Sequence, residues 1–129
     1  HHAPLYGSEN TKGTCEGALK AHIDAGVPAS KLVLGVPFYG RGGTLMPRFV
    51  DYKEINDYAE TVEMWDDEAQ APYLADEDGT LVLGFDNPRS IKIKCDYIKE
   101  NGLLGAMYWD YNGDNESGDL QNTLAEELL

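Results

Sequence analysis

The sequence predicts an α/β protein with an α+β insertion. Three observations carry that prediction. Two nearly unbroken apolar runs of strand length stand at Lys31–Tyr39 and Leu103–Trp109, helical patterns precede each run and follow the second, and residues 44–86 alternate like antiparallel strands.

After a polar, Gly-containing lead-in, Cys15–Ala25 reads as a helix with Ala18, Leu19, Ala21, His22 and Ala25 near one face. Gly26 stands where a helix C-cap would, and Pro28 follows it. The run Lys31–Tyr39 is then expected to be a strand covered on both faces, with Pro37 near its exit because proline cannot donate to a ladder. Gly40, Gly42 and Gly43 mark an irregular loop. Val50–Tyr58 predicts a short helix with Tyr52, Ile55 and Tyr58 on its apolar side, and Thr61–Trp65 alternates like a half-buried strand. Ala71–Leu74 and Thr80–Phe85 flank Ala-Asp-Glu-Asp-Gly79, which predicts a β-hairpin with Gly79 free to take positive φ. Trp65, Tyr73 and Phe85 are read as the core of this small sheet. Asn87 is a good N-cap and Pro88 suits the first helical position; Ile91, Lys94, Cys95 and Ile98 share a face of the helix, which Gly102 ends. A second buried strand follows at Leu103–Trp109, then a polar loop over 110–118, then a closing helix over 119–129 with Leu120, Leu124 and Leu128 in register. Two parallel strands neither close a barrel nor bury a sheet on both faces. Either further strands lie elsewhere in a parent chain or the piece packs in another way.

The 129 residues suit one domain, and 42% hydrophobic content is enough to bury a core. No apolar run reaches the roughly 20 residues a membrane helix needs, and the N-terminus lacks a signal-peptide pattern. Twenty-three acidic against ten basic residues give a net charge of −13, which repels phosphate backbones and argues against nucleic acid as a partner. A neutral ligand such as a sugar polymer is compatible with that field. Cys15 and Cys95 match no metal-ligand spacing, and whether they pair in a disulfide is left open. His1 and His2 fit either an expression-tag remnant or a native segment.

Several stretches in order resemble the C-terminal part of family-18 glycoside hydrolases, the chitinases. Gly26–Arg41 resembles their seventh barrel strand with the helix end before it. Asp51-Tyr-Lys-Glu-Ile55, Trp65-Asp66 and Ala71-Pro-Tyr-Leu74 resemble the α+β insertion that many members carry. Phe85-Asp-Asn-Pro-Arg-Ser90 with Lys94 resembles the start of the seventh helix, and Gly105-Ala-Met-Tyr-Trp109 with Gly113-Asp114 the eighth strand and its exit. His1-His-Ala-Pro-Leu-Tyr6 is similar to the loop after strand six in bacterial members, which favours a native origin for the two histidines. The resemblance implies the last two strands and helices of a (β/α)8 TIM barrel plus a small antiparallel insertion domain. It divides the chain into barrel segments at 1–43 and 87–129 and an insertion domain at 44–86. It also implies a secreted or cell-surface parent.

The family's Asp-x-x-Asp-x-Asp-x-Glu signature, which ends in the general acid, does not occur here. No catalytic residue is therefore assigned in this chain, and the isolated chain is expected to be inactive. The resemblance implies a parent that hydrolyses β-1,4-linked N-acetylglucosamine polymers with retention, the substrate's own acetamide acting as nucleophile. A catalytically inactive chitinase-like lectin, an endo-N-acetylglucosaminidase and a peptidoglycan hydrolase are the alternatives. No metal or cofactor is implied.

Four residues are candidate contacts for chitin or its N-acetylglucosamine oligosaccharides. Trp109 ends a predicted strand, where barrel enzymes place their sites, and an indole can face the apolar side of a sugar ring. The resemblance makes it the floor of the subsite for the reacting sugar; the alternative is a core tryptophan. Tyr39 and Arg41 stand at the exit of the other strand, with a phenol and a guanidinium fork suited to hydroxyls and carbonyls. Arg41 could instead pair with a surface carboxylate. Glu54, from the insertion, accepts hydrogen bonds from hydroxyls or is a solvated helix charge. Tyr108 should point away from Trp109 by strand alternation. Asp110 and Asp114 cap or orient the loop. No membrane partner is expected, and open strand edges expose the piece to self-association.

Overall fold

The computed structural model describes residues 1–43, 46–58 and 60–129. Thr44, the first residue of the expected insertion, lies outside them. Helix α1 (Cys15–Asp24) starts where the Thr14 side chain accepts from the Gly17 N–H at 2.9 Å, and ends ahead of Gly26, whose φ is 103°. Of its expected apolar face only Leu19 is buried; Ala18, Ala21, His22 and Ala25 are exposed. The helix meets the core through Cys15 and Leu19, and its later turns run clear of it.

Strand β1 is Val33–Pro37, shorter than the apolar run because Ala29–Lys31 closes a 3-10 turn first. The chain then breaks at Phe38 and enters β2 (Tyr39–Gly42), which belongs to a different sheet. Phe38 serves both sides of that break. Its N–H donates to the Trp109 carbonyl at 2.7 Å, and its own carbonyl accepts from the Tyr52 N–H at 3.0 Å. Strand β7 (Gly105–Trp109) pairs in parallel with β1, Val33 opposite Gly105 and Pro37 opposite Trp109.

Helices α2 (Pro88–Glu100) and α3 (Asp119–Leu128) cover one face of this pair. Val36 and Phe38 pack there with Ile91, Cys95, Leu120 and Leu124, and Leu34 packs with Leu5, Leu19, Ile98 and Leu103. Each such buried side chain stabilises the fold by about 1.5–3 kcal/mol. The opposite face is open, contrary to the expectation of two covered faces: Met107 is 54% and Trp109 68% exposed. All three helices leave that side bare because the alternating side chains of only one face meet α2 and α3.

Strands β3 (Val50–Asp51), β4 (Val62–Asp66), β5 (Ala71–Ala75) and β6 (Leu81–Gly84) form with β2 an antiparallel sheet of order β3-β2-β6-β5-β4. The sheet thus takes in Tyr39–Gly42, which the sequence division at 43/44 assigned to the other segment. The helix expected at Val50–Tyr58 is a two-residue strand followed by a 3-10 helix at Tyr52–Asp57. Val50 pairs with Gly40 instead, so ladder bonds consume the backbone that would open the helix. Ile55, Leu74, Val82, Leu83 and Phe85 form the sheet's core with Val50. Trp65 and Tyr73 stand outside it, both half-buried, and Trp65 lies under the Arg89 guanidinium at 3.8 Å. The β5–β6 hairpin forms as expected, Gly79 at φ 81° and Asp76 Oδ1 accepting from the Asp78 and Thr80 N–H groups. Asn87 and Ser90 close a reciprocal capping box on α2. Both cysteines are free, Cys95 buried, its thiol pushed up to about 11 by burial, and Cys15 half-buried.

Candidate functional site

The parallel register decides what meets at the end of β1 and β7. Because Pro37 and Trp109 are partners, the residue two beyond Pro37 leaves the strand pair beside the indole. A pocket of about 220 Å³ forms there, lined by Tyr39, Trp109, Met107, Pro37, Gly35 and His2. Tyr108, turned to the other face, stacks on Phe38 at 4.4 Å with the planes 9° apart. The loop after Trp109 is held close: a Cβ on Gly113 would collide with the Phe38 carbonyl oxygen. Asp114 is buried and accepts from the Leu120 and Gln121 N–H groups, so it caps α3 and takes no part in the pocket.

Tyr39 and Arg41 alternate onto the same face of β2. Arg41 is exposed and reaches over the Phe49 ring at 5.3 Å; among the described residues it forms no ion pair. It lines a neighbouring hollow of about 740 Å³ that shares His2 with the smaller pocket. Glu54 is exposed on the 3-10 helix and lines neither hollow. The structure therefore brings Trp109 and Tyr39 together, sets Arg41 next door through His2, and leaves Glu54 apart.

His2 is the residue that sequence reasoning missed. The segment His1–Pro4 crosses the antiparallel sheet along a row in which Arg41 faces Gly84 and Gly84 faces Tyr73. Only glycine admits the crossing, since a Cβ at Gly84 would lie 2.7 Å from the His2 nitrogen. His1 packs edge-on to Tyr73, its side chain 1% exposed and its Nε2 2.9 Å from Asp66. The His2 ring lies 5.0 Å from the Tyr39 ring. The next residue is anchored from below: Lys94 Nζ donates to the Ala3 carbonyl at 2.7 Å and to Asp86 Oδ2 at 2.8 Å, while Ser90 donates to Asp86 Oδ1 at 2.7 Å. Lys94 and Asp86 side chains are 1% and 3% exposed. Burial first, and then the Arg41 guanidinium, lower the His2 pKa; Asp86 opposes, Lys94 adds, and the Tyr39 backbone opposes. The balance favours the neutral ring. The signal in the sequence was the His-His-Ala-Pro-Leu-Tyr run itself, whose place over the sheet depends on contacts more than 80 positions away.

The family model for glycosyl hydrolases family 18 matches residues 1–114. The chain belongs to that family. Chitinase A1 of Niallia circulans is 36% identical to this family-18 chain over 147 residues, which cover 92% of the chain and 20% of the relative. Among solved structures, a chitinase from Bacillus thuringiensis superimposes with a TM-score of 0.86 at 30% identity, over 99% of this chain and 28% of that one. A family-18 N-acetylglucosaminidase from Paenibacillus barengoltzii gives a TM-score of 0.82 at 30% identity, over 99% of this chain and 43% of that one. The chain spans 20% to 33% of the length of the first curated relatives it matches. Relatives from fungi and insects also match, so family-18 membership does not make the chain bacterial.

Proposed function

We propose that this chain is the C-terminal part of a chitinase-type glycosidase, supplying substrate-binding walls to a cleft whose general acid comes from another part of the parent. In this reading β1 and β7 are the last two strands of a TIM barrel. The antiparallel sheet is the insertion domain of residues 44–86, with β2 leading into it, and 1–43 and 87–129 are the barrel segments. The observation that supports it most is the pocket shared by Trp109 and Tyr39 at the C-terminal end of two parallel strands, the end at which barrel enzymes bind substrate.

The indole floors a site for an N-acetylglucosamine ring, with its N–H left to donate, and Tyr39 offers a hydroxyl that donates and accepts. Arg41 contacts the chain of sugars further along, and Glu54 acts from the rim of the insertion. Such contacts hold and distort the sugar while the parent's glutamate protonates the glycosidic oxygen and the substrate's acetamide carbonyl attacks, giving retention. The parent acts on chitin outside the cell.

A second reading is a chitinase-like lectin, which differs from the first only in whether the parent keeps the glutamate that ends the Asp-x-x-Asp-x-Asp-x-Glu run. Sequencing the parent gene upstream of His1 and assaying the expressed parent on N-acetylglucosamine oligomers tests both. A glutamate ending that run together with hydrolysis supports the enzyme. Binding without hydrolysis, with the glutamate replaced, supports the lectin. Absence of both binding and hydrolysis refutes the two together.

A further inference from the structure

We infer that His2 is a third ligand-facing residue of the Trp109–Tyr39 pocket, one that sets which sugar substituents the pocket accepts. This rests on the carbohydrate reading above and adds to it a residue from a different part of the chain. Of the side chains lining the pocket, those of Ala3, Gly35, Val36, Pro37 and Met107 offer no strong hydrogen bond. The polar capacity of the pocket is therefore the Trp109 N–H, which only donates, the Tyr39 hydroxyl, and the His2 imidazole. A neutral imidazole contributes one donor and one acceptor, so His2 supplies an acceptor for a hydroxyl that the indole cannot supply.

Two further observations point the same way. The ring's capacity is only partly spent on the protein: the Tyr39 backbone engages it, and Nδ1 has no hydrogen-bond partner among the described residues. The ring is also held in place from both sides. His1 is bonded to Asp66, and the Ala3 carbonyl is bonded to the buried Lys94, so the backbone of residue 2 is pinned between two anchors. Two fixed neighbours set the point from which the His2 ring leaves the backbone.

The test is titration of the full 129-residue chain with N-acetylglucosamine tetramer, followed by the Trp109 indole N–H resonance and compared among wild type, His2→Ala, His2→Asn and His2→Phe. His2→Ala is expected to weaken binding about three- to tenfold, the scale of one neutral hydrogen bond. His2→Asn, which keeps a donor and an acceptor, should restore most of it, and His2→Phe, which keeps only the ring, should not. Unchanged affinity in His2→Ala, or full affinity in His2→Phe, overturns the inference while the carbohydrate reading stands. No response of the wild-type indole to the tetramer overturns both.

Discussion

Phe38 and Trp109 are joined by a 2.7 Å backbone hydrogen bond at the point where one strand pair ends and another sheet begins. The N–H of Phe38 closes the parallel ladder, and its carbonyl passes the chain to Tyr52. Tyr39, the next residue, is thereby set beside the indole and not across the sheet from it. The pocket exists because this one residue serves two sheets.

Loss of the indole should remove most of the affinity of that pocket. Trp109→Ala in the parent protein is expected to weaken binding of N-acetylglucosamine oligomers by about 1–3 kcal/mol, the scale of a lost aromatic contact. Titration calorimetry measures it, and an unchanged dissociation constant refutes stacking. Since Trp109 is 68% exposed, the substitution should leave thermal stability of the chain almost untouched.

Catalysis is expected to be absent from the chain by itself. Purified material should release no leaving group from a chromogenic chitobioside above the buffer rate, because no residue here has been assigned the acid's role. Release above that rate, retained after a second purification step, contradicts the placement of the acid elsewhere.

The Asp86–Lys94 pair should be costly to break and cheap to replace. Lys94→Met leaves a carboxylate buried beside Ser90 alone, and the loss expected is about 3–5 kcal/mol. The double variant Asp86→Leu with Lys94→Met should lose clearly less than the two single losses added. Urea unfolding of the four proteins forms the cycle; additive losses argue that the two charges do not interact.

Acid should release the N-terminal segment before it unfolds the core. Burial opposes the charge on Asp66, but the Ala69 N–H, the Ser8 hydroxyl and the Glu68 N–H outweigh it and hold its pKa below the usual carboxylate range. A lowered folded-state pKa stabilises above the unfolded value, and that stabilisation is lost as pH falls through the folded value. The His1 and Ser8 resonances should therefore change below the ordinary aspartate range, near pH 4, and Asp66→Asn should abolish that transition. Movement of the β1–β7 core resonances in the same step counts against a local release.

Both thiols should be present and slow to react. Two equivalents of free thiol are expected on denaturation, whereas in the native protein at pH 8 Cys95 should resist alkylation because burial holds its pKa near 11. Fewer than two thiols in freshly reduced and reoxidised protein contradict the free state of Cys15 and Cys95.

Much of this molecule was legible from its residues in order. The cap at Asn87 with Pro88 after it, the turn at Gly79 and the two apolar runs depend on neighbours within a few positions. Local sterics and hydrogen bonding therefore decided them. The same holds for the turn of Tyr108 away from Trp109, which follows from the pleat. The tertiary structure decided the rest. Whether Tyr39–Gly42 continues one sheet or opens another depends on partners at Asp51 and Gly84, and Val50 became a strand because Gly40 was there to pair with it. His2 reaches Tyr39 only because Gly84 admits the crossing and Lys94 holds Ala3 from 91 positions away. Contacts of that separation are set by how the whole chain closes, and no local pattern encodes them.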